Sequence, residues 1–184
     1  MNARTQAKSP AVEGSQPRLA VAIAGMVGIL LVQGFHEIEH IVQVLQRTVL
    51  DNPKGAGVLG SWLDIEPVHL AYNVLFLALL ALVYVQGRFW QSRRTERVAF
   101  GFMTFSVLFQ GYHLVEHLFK IAQFVESGMN GTPGILGHVF NLVWLHFAFN
   151  TIVFSSFLVA FIAGRWDRDM LDFLRLKRSA ARPA

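Results

Sequence analysis

Hydrophobic and polar positions fall in long blocks along this chain, without the every-other-residue pattern of a half-buried strand. Runs such as LAVAIAGMVGILLV (residues 19–32) and LALLALVYV (77–85) carry no charge. Four apolar blocks, at about 18–46, 66–88, 97–125 and 140–164, each supply the roughly 20 residues a helix needs to cross a bilayer. A helix satisfies its own backbone hydrogen bonds in lipid, so the blocks predict an all-α integral membrane protein with four transmembrane helices. The first partner is then the lipid bilayer.

Polar knots interrupt the blocks at matching places. QGFHEIEH (33–40) and QGYHLVEH (110–117) lie 77 residues apart, and the same shift carries His69 onto His146, Asn73 onto Asn150 and GVLG (57–60) onto GILG (134–137). Between 33–73 and 110–150, 12 of 41 positions are identical without an insertion. Polar residues are rare and costly inside a membrane, so identities of His, Glu and Asn weigh more than shared leucines. The chain reads as two tandem helical-hairpin repeats of the same orientation, related by a pseudo-two-fold axis along the membrane normal. Its parts are a polar cytoplasmic tail (1–17), a first hairpin repeat (18–88), a basic cytoplasmic loop (89–96), a second hairpin repeat (97–165) and a basic cytoplasmic tail (166–184). The first block supplies half of the matched residues, which argues against its being a cleaved signal segment.

Composition agrees: 53% of residues are hydrophobic and 15% charged, a membrane profile and not that of a soluble domain. The net charge of +4 comes from basic residues beside the spans: Arg4, Lys8 and Arg18; Arg88, Arg93, Arg94 and Arg97; Arg165, Arg168, Arg175, Lys177 and Arg178. The other two connections hold only Lys54, with Arg47 at a helix end. Basic residues near anionic headgroups account for this charge without nucleic acid. By the positive-inside rule both termini are cytoplasmic. The absence of cysteine excludes disulfides, thiolate metal sites, iron–sulfur clusters and c-type haem.

Residues three and four apart share a helix face, so His36, Glu39 and His40 project together, as do His113, Glu116 and His117. His69 with Asn73, and His146 with Asn150, do the same on the second and fourth spans. At a rise of about 1.5 Å per residue, His36 and His69 lie roughly 27–29 Å from the basic span ends, His113 roughly 24 Å and His146 roughly 29 Å. All four spans therefore present these groups at one level, toward the outer face. Imidazoles with carboxylates suit Fe, Zn, Cu or Mn and suit Ca or Mg poorly. The predicted ligands are His36, Glu39, His40, His69, His113, Glu116, His117 and His146 around two transition-metal ions, iron first, with zinc or copper as alternatives. Asn73 and Asn150 are expected behind them, orienting ligand histidines. His138 faces Ser61 in the repeat and is expected to be a hydrogen-bonded core residue.

HEIEH also satisfies the zinc-protease string H-E-x-x-H, with Glu37 as catalytic base. Leu114 stands opposite Glu37, however, so the two halves share only H-x-x-E-H. Glu37 is then a candidate proton carrier, access-path residue or helix-surface charge.

A bundle offering paired Glu and His from facing helices is a recurrent holder of two irons. The His-rich ligand chemistry is similar to that of the histidine-box membrane desaturases and hydroxylases, whose box spacing and large cytosolic part this chain does not share. The leading expectation is a di-iron oxidoreductase or oxygenase acting on a lipophilic substrate or quinol. Its electrons would come from a partner protein or a quinol, because no flavin or nucleotide motif is present. The reading is compatible with an oligomer. The alternatives are a zinc-dependent intramembrane hydrolase, a b-type cytochrome and a metal-ion transporter; almost wholly apolar cytoplasmic halves count against the last.

Overall fold

The computed structural model describes residues 16–52, 55–60, 64–89, 97–129, 131–168 and 170–171. Arg4, Lys8, Lys54, Ser61, Arg93, Arg94, Arg175, Lys177 and Arg178, with most of both tails and of the basic loop, lie outside the described residues.

The described residues are helical and contain no strand. α1 (Gln16–Thr48), α2 (Glu66–Gln86), α3 (Arg97–Ser127) and α4 (Leu142–Ala163) are joined in chain order, with a 3₁₀ turn at Leu136–His138 before α4. All four are long and apolar enough to cross a membrane. α1 and α3 run a turn or less beyond their apolar blocks, because polar residues continue a helix as well as apolar ones do.

Local chemistry sets the ends. Pro67 sits in the first turn of α2, where its missing N–H costs nothing. The side chain of Asn141 caps α4 by accepting from the amides of Val143 and Trp144, which satisfies donors the helix itself leaves free. α3 stops at Gly128, whose positive φ of 70° fits the left-handed position that follows many helices.

The helices form a ring: α1 packs on α2 and α4, and α3 packs on the same two. Its outside is apolar, with Leu31, Leu75, Leu108 and Ile162, one per helix, each more than half exposed. Such a surface suits lipid and not water. The inside divides into two halves. Toward the end where α2 meets α3 in sequence, Met26, Leu80, Met103 and Phe157 are at most 1% exposed and close a dry apolar layer, one side chain from each helix. Toward the opposite end, which carries the 49–65 and 128–141 connections, the interior is filled with His, Glu, Gln, Asn and Lys.

Candidate functional site

Four buried amides mark the boundary between the two halves. Gln33 on α1 donates to Asn150 Oδ1 on α4 at 3.0 Å, and Gln110 on α3 donates to Asn73 Oδ1 on α2 at 2.7 Å. Asn73 and Asn150 in turn donate to the backbone carbonyls of His69 and His146, one turn back. The asparagines were expected to orient imidazoles. Each asparagine side chain accepts from a glutamine of a neighbouring helix and donates to the carbonyl of the histidine one turn back on its own helix.

Above this belt lie six imidazoles. Nε2 of His36 stands 3.1 Å from Nε2 of His40, and Nε2 of His113 stands 3.2 Å from Nε2 of His117. His69 and His146 from α2 and α4 complete the cluster. The ring centres of His69 and His117 are 5.8 Å apart, those of His117 and His146 5.3 Å, and those of His40 and His146 6.0 Å. Every predicted histidine therefore meets its partners across the bundle. His138 does not; it is exposed in the 3₁₀ turn, away from the cluster, and is no core residue.

The two glutamates point toward the connections. Glu39 accepts from the amides of Val58 (2.7 Å) and Leu59 (3.2 and 3.3 Å), using both oxygens. Glu116 accepts from Ile135 (2.8 Å) and Leu136 (2.9 Å) through Oε1 alone, which leaves its buried Oε2 without a partner among the described residues. Beside them Gln46 and Gln123 each clamp a glycine of the GVLG or GILG stretch. Gln46 binds both N–H and C=O of Gly57, and Gln123 those of Gly134. The glycine-containing stretches are thus the seats of the repeated carboxylates.

Glu37 is buried, its Oε1 accepting from the hydroxyl of Thr151 on α4 and its Oε2 without a partner among the described residues. It is not a helix-surface charge, since the α1 face next to the His36/His40 stripe packs against α4.

Two charged residues escaped the sequence reading. Lys120, 1% exposed, donates to Glu66 Oε1 at 2.9 Å and to the Thr132 carbonyl at 2.7 Å. Glu66 Oε2 lies 3.9 Å from Nδ1 of His117. The repeat partners of this pair are Gln43 and Val143, so the arrangement belongs to one half only. In the other half Gln43 contacts Nδ1 of His40 at 2.9 Å. That neutral-to-charged exchange was the available signal.

Four buried atoms of the predicted ligand set have no hydrogen-bond partner among the described residues: His113 Nδ1, Glu116 Oε2, His117 Nδ1 and His146 Nε2. Buried polar atoms are normally paired. The described residues contain no group of three His, Asp or Glu side chains already arranged to hold a metal ion. The imidazoles stand as two N···N pairs instead. No family model, curated protein or solved structure matches the chain.

Proposed function

We propose that this protein is a membrane-embedded metalloprotein whose histidine cluster holds two transition-metal ions, iron first, and that it works as an oxidoreductase or oxygenase on a lipophilic substrate or quinol. The observation that carries the reading is the pair of Nε2···Nε2 separations, 3.1 and 3.2 Å, at His36/His40 and His113/His117. Two nitrogens bound to one ion at 2.0–2.1 Å stand about 3.0–3.4 Å apart. Two imidazoles one turn apart on each of two helices thus stand at the separation that two ligands of one ion would have. His69 and His146 lie across the bundle from them, and the unpartnered Nε2 of His146 would gain a partner. One ion per half, between His36, His40 and His69 and between His113, His117 and His146, uses all six imidazoles. When bound, such metals supply the redox chemistry; Glu39 and Glu116 hold the connections over them, and Glu116 Oε2 remains to accept a proton or an ion.

The same reading includes the topology. Tandem hairpins of one orientation, with both termini cytoplasmic and the cluster toward the outside, account for the basic residues beside the other end. The equivalent bonds at 77-residue spacing, Gln33–Asn150 with Gln110–Asn73 and Gln46–Gly57 with Gln123–Gly134, support a pseudo-two-fold axis along the bundle.

Elemental analysis with an optical spectrum of the purified protein tests the reading. We expect about two redox-active metal ions per chain, lost together when His36, His40, His113 and His117 are replaced by Ala. Stoichiometric zinc alone, without redox activity, would move the assignment to a hydrolase. A haem spectrum would move it to a cytochrome.

A further inference from the structure

A cavity of about 400 Å³ opens between α1 and α2 and reaches the histidine cluster from the side. Its mouth is apolar and faces the surroundings of the bundle: Leu31, Val32, Phe35 and Val68 are 69, 50, 48 and 40% exposed. Its floor is polar, made of His36, Glu39, Asp64, His69 and Tyr72. The Tyr72 ring stacks on His36 with centres 4.1 Å apart and planes 29° apart, so one wall is flat. The Tyr72 hydroxyl donates to Gln33 Oε1 at 2.7 Å. Asp64 Oδ1 stands 3.4 Å from Nε2 of His69.

The second half provides an internal comparison. The repeat places Phe109 where Val32 stands, Tyr112 where Phe35 stands, and Phe149 where Tyr72 stands. Phe149 is buried and meets Phe109, Tyr112 and His113 at ring-centre distances of 5.5, 6.0 and 4.9 Å. Aromatic rings thus cover His113, while its counterpart His36 lines an open cleft.

We infer that the α1–α2 cleft is the binding site for a membrane-soluble molecule with a hydroxylated aromatic ring and an apolar tail, a hydroquinone-type lipid, which enters sideways from the bilayer to His36 and His69. The volume falls in the range of small-molecule pockets, and an apolar lining with a few convergent polar groups is their usual make-up. The flat Tyr72–His36 wall suits a ring. Asp64 at the floor is an acceptor only, so it favours a head that donates through O–H over its oxidised form, which offers carbonyl oxygens alone. The tail would lie between Leu31 and Val68 in lipid. This substrate class rests on the metalloprotein reading for its purpose; the cleft and its acceptor do not.

The test is retention of decyl-hydroquinone by the protein in lipid nanodiscs under argon, compared with protein-free discs, with decyl-benzoquinone as the oxidised counterpart and metal content measured on the same samples. Val32→Phe and Val68→Phe, on opposite walls and both lipid-facing, should each weaken retention about tenfold with metal content unchanged. Leu108→Phe, lipid-facing in the other half and outside the cleft, should leave it as in the parent protein. Equal retention by both wall variants overturns the cleft as the site. Equal retention of benzoquinone and hydroquinone overturns the donor-headgroup assignment. Retention lost in the wall variants of a protein that holds no metal keeps the cleft and removes the metalloprotein reading. Metal without any retention of hydroquinone does the reverse.

Discussion

Glu39 and Glu116 occupy equivalent places, yet they are not equally free. Glu39 gives both oxygens to loop amides, whereas Glu116 gives one and keeps Oε2 unpartnered. Replacing either by Gln leaves an acceptor for the loop and removes a charge that would compensate a bound cation. Both substitutions should therefore lower bound metal, Glu116→Gln more than Glu39→Gln, because only Glu116 loses an oxygen available as a ligand. Glu37→Gln keeps the acceptor facing Thr151 and should leave metal content intact. Metal analysis of the three variants, with activity alongside, checks the order; a Glu37 variant that alone loses turnover would favour the hydrolase alternative. At this scale the sequence was informative about which residues meet and poor on what each atom does. Matched polar identities brought six histidines to one level, since cost in the membrane filters chance matches. That Glu39 faces a loop was not legible, because spacing on a helix fixes a side chain's face and not its rotamer. Lys120 was passed over for a related reason. A lone lysine near a span end ordinarily extends to the interface, and only its meeting with Glu66 from another helix shows that it turns inward.

At the scale of elements, the described parts of the two connections are seated on the repeated carboxylates. Gly57 and Gly134 have positive φ of 74° and 68°. A Cβ at Gly57 would collide with Glu39 Oε1, and one at Gly134 would stand 2.5 Å from Glu116 Oε1. Gly57→Ala and Gly134→Ala thus combine an unfavourable backbone with displacement of the carboxylate. Each should destabilise by about 1–3 kcal/mol and lower metal content, read by thermal unfolding in detergent with metal analysis. Gly111 is the control: it is helical with nothing within 4 Å of a Cβ, so Gly111→Ala should be neutral or stabilise by up to roughly 1 kcal/mol. The match of GVLG with GILG was visible in the sequence. Their roles depend on a loop folding back over a helix, a contact between residues 11 apart that no helical or strand period encodes.

For the whole molecule, the apolar blocks located all four helices, because lipid leaves the backbone few options. Which sides of the ring are open was not legible. Val32 and Phe109 are both apolar in a pattern of hydrophobic and polar positions, and the difference between a cleft and a covered imidazole lies in ring size and packing. A reporter fused after Ala184 should prove cytoplasmic in whole cells; an external reporter would place the cluster on the opposite side. The dry layer of Met26, Leu80, Met103 and Phe157 gives that orientation a consequence. A cluster stopped by an apolar layer is a socket and not a conduit. On the proposed reading, protons taken up or released at the cluster would be exchanged with one compartment alone.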